Sequence, residues 1–317
     1  MPRIINFGSL NIDYVYAVTH FVRGGETLAA SDRAIHAGGK GLNQSVALAR
    51  AGLRVAHAGA IGPDGVFLKE LLAAEGVDVS RIALDATRPT GHTVIQVTPE
   101  GENAILYYAG MNAALSADFA RETIEALEPE DVVLLQNETS AVADIIEAAL
   151  EKGLRVVFNP APFDPSVNAL PLEKLHALFL IMTEACGILG MDPVSACASP
   201  EAGEKILAEL AERFPQTTVV LTQGARGAGW SRPGEAPGFA PAFPVKAVDT
   251  TGAGDTFTGY AVRAILAAES AADPQEAARR FASGMRTASM AAALSVTQPG
   301  AAGAIPALAD VLAALGQ

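Results

Sequence analysis

Apolar positions along the chain fall into short continuous runs separated by longer stretches with helical spacing. Residues 4–8 form the first run, residues 41–51 carry a helical pattern closed by Gly52, and residues 54–60 are apolar again. The alternation recurs as a run at 131–135, a helical stretch at 141–152 ending at Gly153, runs at 155–159 and 178–181, a helix opened by Ser199-Pro200, and a run at 217–221. Short apolar runs predict buried strands, a 3.6-residue period predicts helices, and a glycine just past the last periodic residue suits a helix C-terminus. Strands that alternate with helices imply a mostly parallel sheet covered on both faces, so the predicted class is α/β.

Two stretches break this rhythm. Residues 14–18 and 29–37, with 92–98 and 103–108 around the turn Pro99-Glu100-Gly101-Glu102, read as short antiparallel strands with no helix between them, forming a small accessory sheet. Residues 232–244, rich in Pro and Gly, read as a surface loop between strands.

Composition narrows the picture. Half of the 317 residues are apolar and only 6% are aromatic, which suits helices packed closely on a sheet in one large domain spanning 1–317. A formal net charge of −13 disfavours nucleic acid and anionic membrane as partners, although local backbone donors can still hold an anion. Cys186 and Cys197 match neither a disulfide framework nor zinc-ligand spacing and read as small buried apolar residues, which fits a reducing cytoplasm. The opening residues pass into a strand-like run, so no secretory signal is expected, and no apolar stretch is long enough to span a bilayer.

The segment Asp249-Thr250-Thr251-Gly252-Ala253-Gly254-Asp255-Thr256-Phe257 carries the most chemistry. Small residues at a helix start let successive N–H groups face an anion, where aligned peptide dipoles favour negative charge. A carboxylate at the same turn would repel a bound phosphate, unless Asp255 takes a proton from a hydroxyl attacking that phosphate. Taken alone, Gly252-Ala253-Gly254-Asp255 is also compatible with a tight turn in which Asp255 caps the helix. A second glycine-rich segment, Ala37-Gly38-Gly39-Lys40-Gly41-Leu42-Asn43-Gln44, fits neither the P-loop nor the dinucleotide-binding template. Its glycines permit close backbone approach to a ligand, and Asn43 can both donate and accept, as a sugar diol requires.

These two motifs, in this order and nearly end to end, resemble the signatures of the ribokinase-like (PfkB) carbohydrate kinase family, and the chain is most similar to its ribokinase branch. The resemblance implies a three-layer α/β/α core with a small β-sheet lid built from segments near 12–37 and 90–110. It implies ATP-dependent phosphorylation of a sugar primary hydroxyl, with ribose leading, Asp255 as base and the N–H groups of Gly252, Ala253 and Gly254 as the anion hole. Asn11 and Asp13, in the opening Gly8-Ser9-Leu10-Asn11-Ile12-Asp13, would bind sugar hydroxyls together with Gly39, Lys40, Asn43 and Glu138. Glu184, Thr222, Gly224, Gly227, Gly254 and Ser289 match the ATP side. Asp249, Thr251, Ser295, Gln298, Gly300 and Ala304 match loops that hold a monovalent cation, K⁺ being expected beside Mg²⁺, and Ala304 lacks the hydroxyl usual there. Ile181 stands where the family usually carries Asn near Mg²⁺ and the phosphates. A homodimer through the lid is implied as well. Another sugar or a nucleoside as substrate, with Tyr14 and Tyr16 as a clamp, and an inactive sugar-binding regulator are the competing readings.

Overall fold

The structure, a computed structural model, describes residues 2–199 and 201–317. The first strand, β1 (Arg3–Phe7), is followed by β2 (Asn11–Ala17), β3 (Asp32–Gly38), α1 (Lys40–Arg50), β4 (Arg54–Ile61), α2 (Val66–Ala74) and β5 (Asp78–Leu84). Then come β6 (Gly91–Val97), β7 (Asn103–Tyr108), α3 (Ala117–Glu125), β8 (Val132–Gln136), α4 (Val142–Glu151), β9 (Arg155–Asn159) and β10 (Ala177–Ile181). The helices α5 (Met182–Leu189), α6 (Pro193–Ala196) and α7 (Ala202–Arg213) lead to β11 (Thr218–Thr222), β12 (Gly227–Ser231) and β13 (Gly238–Pro241). The remaining helices are α8 (Ala253–Glu269), α9 (Pro274–Ser295) and α10 (Leu308–Ala314).

Nine strands form one sheet in the order β13-β12-β11-β10-β9-β8-β1-β4-β5, parallel except for β12 and β13. Because successive side chains point to opposite faces, each strand feeds two cores. Ile4, Leu134, Val157, Phe179 and Val220 pack with α1, α2, α8, α9 and α10, whereas Ile5, Val133, Phe158, Leu180 and Leu221 pack with α3, α4, α5 and α7. Burial of each such side chain contributes about 1.5–3 kcal/mol, and this two-sided burial is why the strands read as unbroken apolar runs. The expected three-layer α/β/α architecture is present.

β1 lies between β8 and β4, so the strand order reverses there and opens a crevice at the C-terminal ends of the strands. The helices α1 and α8 pack across this crevice. A Cβ on Gly259 of α8 would lie 2.4 Å from the Ala47 Cβ of α1, so only glycine allows the two helices to come this close. That contact delivers the start of α8 to the start of α1, where the candidate residues converge.

The small sheet has the order β3-β2-β6-β7. Its outer pairs are antiparallel as expected, but the central pair, β2 and β6, is parallel. The two strands are separated in sequence by β3, α1, β4, α2 and β5, so their pairing is a long-range crossover and not a hairpin. The stretch 232–244 contains the edge strand β13, paired antiparallel with β12. Edge position tolerates the Pro and Gly that made this segment read as a loop. The predicted helix start at Ser199-Pro200 includes Pro200, which lies outside the described residues, and α7 itself runs from Ala202. Cys186 is buried, but Cys197 is only half-buried, with its sulfur 3.9 Å from that of Cys186. No helix among the described residues is long and apolar enough to cross a membrane.

Candidate active site

Asp255 sits in the first turn of α8, whose N-cap Gly252 adopts a left-handed conformation with φ of 74°. The Ala253 N–H makes a long bond of 3.3 Å to the Thr250 carbonyl, and the N–H groups that follow in this first turn have no carbonyl within the helix a turn earlier to bond. Asn43 Nδ2 donates to Asp255 Oδ2 at 3.0 Å, and Gln44 Nε2 donates to Oδ1 at 2.9 Å. Burial pushes the Asp255 carboxyl up to about 6, against the pull of nearby Lys40 and of the Asn43 and Gln44 amides. At neutral pH the group is therefore an ionised carboxylate of unusually high basicity, as a general base requires.

Around the N-terminus of α1, Glu138 is held on both oxygens. Its Oε2 accepts from Ser9 Oγ at 2.5 Å and from the Lys40 N–H at 3.1 Å, while Oε1 pairs with Lys40 Nζ at 3.1 Å. Burial alone would lower the Lys40 pKa, but Glu138 and Asp255 raise it above its ordinary value, so the ammonium stays charged between the two carboxylates. Asn11 is buried and its Oδ1 accepts from Asn112 Nδ2 at 2.7 Å. Asp13 Oδ1 accepts from Thr93 Oγ1 at 2.6 Å, and burial raises the Asp13 pKa. Gly39 is the N-cap of α1 with φ of 95°. Asn43 Oδ1 is buried with no protein partner, an acceptor available to a ligand hydroxyl.

A cavity of about 530 Å³ opens beside the first turn of α8. Thr222, Gly224, Gly227, Gly254 and Ser289 all line it, with apolar walls from Phe243, Val245 and Val296. The size and the apolar lining suit a purine-sized ligand with its anionic end at the helix start. Ile181 also lines the cavity and is 46% exposed. Its N–H donates to Glu184 Oε2 at 2.9 Å, and burial pushes Glu184 up to about 7. Ser289 Oγ is buried without a partner.

The loops proposed for a monovalent cation adjoin. Asp249 Oδ2 accepts from the Gly300 N–H at 2.9 Å, and Oδ1 accepts from the Thr251 N–H and hydroxyl. Burial opposes ionisation of Asp249, but these donors hold its pKa below the ordinary value. Ser295 turns its hydroxyl back to the Ala292 carbonyl, and Gln298 and Ala304 line a separate cavity beside Arg50. Among the described residues no group of three or more His, Cys, Asp or Glu is arranged to hold a metal ion.

Several neighbours were not singled out from the sequence. Gln44, Asn112 and Thr93 each hold a candidate residue, as the contacts above show. Tyr107 stands opposite Thr93, which stands opposite Asp13, so its phenol joins the same cross-strand row. Burial raises the Tyr107 pKa, with Asn112 as its hydrogen-bonding neighbour. A tyrosine on the Asp13 face of the small sheet could have been found by extending the period of two from Asp13 once the strand register was known. His36 and His92 lie in β3 and β6, as expected for ordinary strand residues.

A deep crevice with a buried carboxylate at a helix N-terminus, a polar cluster on one side and a purine-sized cavity on the other defines the architecture of a small-molecule kinase. The chain belongs to the pfkB family of carbohydrate kinases, whose model matches residues 1–308. It is 36% identical to the ribokinase of Haemophilus influenzae over 312 residues, covering 96% of this chain and 95% of that protein. Among solved structures it is similar to the ribokinase from Cryptococcus neoformans in complex with ADP, with a TM-score of 0.84 and 32% identity over 99% of this chain and 100% of the other. The Arabidopsis thaliana ribokinase complexed with ribose and ATP gives a TM-score of 0.81 and 27% identity over 100% of this chain and 99% of that one.

Proposed function

We propose that the protein transfers the γ-phosphoryl group of ATP to the primary hydroxyl of D-ribose, with Asp255 as the base. The observation that carries this reading is the Asp255 carboxylate, buried at the start of α8 between the polar cluster of Asn11, Asp13, Asn43 and Glu138 and the cavity lined by Gly254. A sugar held by that cluster presents a hydroxyl to Asp255, while ATP in the cavity brings its γ-phosphate to the first-turn N–H groups of α8. Asp255 accepts the hydroxyl proton as the sugar oxygen bonds to phosphorus and the bond to the ADP oxygen breaks. The N–H groups of Gly252 and Gly254, with that of Ala253 once it leaves its long bond to the Thr250 carbonyl, take up the charge developing on the transferring group. Thr222, Gly224, Gly227 and Ser289 would hold the nucleotide.

Glu184 fits a role beside a divalent cation, because a carboxylate whose ionised form is disfavoured by burial gains most from a nearby positive charge. Mg²⁺ bound with ATP would neutralise phosphate charge. Asp249, Thr251 and Gly300, joined by hydrogen bonds, would form the centre of a K⁺ site, to which Ser295, Gln298 and Ala304 could add only from the neighbouring loops, Ala304 through its backbone carbonyl alone. In the small sheet, Ile35, Tyr14, Val94 and Leu106 form one cross-strand row, and Ile35 and Leu106 are exposed. A second copy of this chain would cover that row, making the sheet both a lid over the sugar and a dimer surface in a cytoplasmic enzyme.

Ile181 offers only a hydrocarbon to the phosphate end of the cavity. Ile181→Asn is expected to lower the KM for MgATP by about 3- to 10-fold, the effect of one added hydrogen bond, with little change in the sugar KM, as read from initial rates at varied MgATP. The substrate itself is tested by ADP release with ribose, 2-deoxyribose, fructose and adenosine. A strong preference for ribose supports the reading, a preference for adenosine replaces it with a nucleoside kinase, and sugar-induced thermal stabilisation without ADP release replaces it with a regulator.

A further inference from the structure

We infer that Gln44 is a positioning residue for Asp255, held in the orientation that presents its amide N–H₂ by a buried chain running through Gln136, Asn6, Ser45 and His57. The inference rests on the reading of Asp255 as the base. It concerns Gln44, at the end of the glycine-rich segment, and partners outside both motifs, and the chemistry of each link fixes the direction of the next.

The far end of the chain is anchored on two backbone carbonyls, which can only accept. His57 Nε2 lies 3.1 Å from the Gly8 carbonyl, so that nitrogen carries the proton. The ring is fully buried and its pKa is lowered by that burial to about 4, so it is neutral and its Nδ1 is an acceptor. Ser45 Oγ, 2.8 Å from Nδ1, therefore donates to it and accepts from Asn6 Nδ2 at 2.8 Å. Asn6 Nδ2 also donates to the Gly41 carbonyl at 2.8 Å, which fixes the Asn6 amide independently. Asn6 Oδ1 must then accept, and Gln136 Nε2 donates to it at 2.9 Å and to Gln44 Oε1 at 2.7 Å.

With its oxygen engaged, Gln44 can turn only its nitrogen toward Asp255 Oδ1. A second anchor agrees: Asn159 Nδ2 donates to the Phe179 carbonyl at 2.9 Å, leaving Asn159 Oδ1 to accept from Gln44 Nε2 at 3.1 Å. Asn6, Gln44, Ser45 and His57 are completely inaccessible to solvent, so no water competes for these groups. The consequence is a carboxylate with one oxygen held by Gln44 and the other by Asn43, unable to rotate as the hydroxyl proton arrives. Asn43 keeps an unpartnered Oδ1, whereas both amide atoms of the fully buried Gln44 are already engaged.

Gln44→Met keeps length and volume but removes the donor, and Gln136→Met removes the group that orients Gln44. Each variant is assayed for kcat with ribose, ribose affinity by calorimetry, the pH profile of kcat, and thermal midpoint. The charged groups that face Asp255 are Lys40 on α1, Glu138 after β8 and Glu184 on α5, all unchanged in both variants. Gln44→Met is expected to lose about 10- to 100-fold in kcat, the worth of a hydrogen bond to a charged group, with ribose affinity retained. Its acid limb should move to higher pH, because a donor that favours the ionised carboxylate is gone. Gln136→Met should move both quantities in the same direction by less. A fold-supporting role alone would lower the thermal midpoint and leave the acid limb in place, and that result overturns the inference. If Gln44→Met does not fold, an unmoved acid limb in Gln136→Met overturns it equally. Near-normal turnover by Asp255→Asn would instead remove the base reading beneath it, so the two failures are distinguishable.

Discussion

Asp255→Asn should lower kcat by about three orders of magnitude or more while leaving ribose affinity within a few-fold of the parent, the upper part of the range for loss of a general base. The replacement keeps the size of the side chain and an oxygen that accepts from one of Asn43 and Gln44, while its nitrogen meets the other donor, so one hydrogen bond is lost with the carboxylate. What disappears is a carboxylate whose pKa burial has raised to about 6. The same value sets the pH dependence of the parent enzyme. Only the ionised form can accept a proton, so kcat should be near its plateau above pH 7 and fall tenfold per pH unit well below about 6. In Asp255→Asn this acid limb should be absent. Initial rates measured from pH 5 to 9 on both proteins check the two statements together.

The second large effect is expected on the sugar side. Asp13→Ala should raise the KM for ribose by about 10²- to 10³-fold with a smaller change in kcat, since two hydrogen bonds from hydroxyls to a charged acceptor are lost. Thr93 Oγ1 already occupies one lone pair of Asp13 Oδ1, which holds the carboxylate in one orientation on the inner face of the small sheet. Burial has raised the pKa of this carboxyl, and sugar hydroxyls donating to it would stabilise its ionised form. Ribose should therefore bind more weakly as the pH falls through the Asp13 pKa, in the parent but not in the variant. Calorimetric titration at several pH values separates this binding effect from the catalytic limb of Asp255.

Much of the core was legible in the sequence because two-sided burial writes a plain signal. The run Val-Val-Leu-Leu-Gln of β8, buried at every position, is what a strand covered by helices on both faces requires. The anchor motifs at Gly38–Asn43 and Asp249–Phe257 were legible as a pair in this order, since either one alone is compatible with a plain turn at a helix start. Pairing between distant strands was less accessible. Nothing local to Tyr14 or Val94 distinguishes a parallel from an antiparallel partner, and β2 and β6 meet only after a long crossover. The strand β13 was hidden because an edge needs few apolar residues.

Within the site, the residues that touch ligand in the proposed reading carried motif signals, whereas those that hold them did not. Asn6, Gln136 and Asn159 each lie in or at the end of a strand that is otherwise almost wholly apolar. A polar amide in such a run must find a buried partner, which was a usable signal. Gln136 and Asn159 even stand opposite each other in the β8 and β9 register. Which partner each finds depends on the strand order, and that order is a property of the whole chain.

The central claim is a single transfer, from ATP to the primary hydroxyl of ribose, and one measurement addresses it directly. Purified protein is incubated with ribose, MgATP and K⁺, and the product is followed by phosphorus and carbon NMR. Stoichiometric ADP with a phosphomonoester coupled to C5 of the sugar is the predicted result. ADP formed without a sugar phosphate, a phosphate on another carbon, or no consumption of ribose under conditions where another hydroxyl compound is phosphorylated would contradict it.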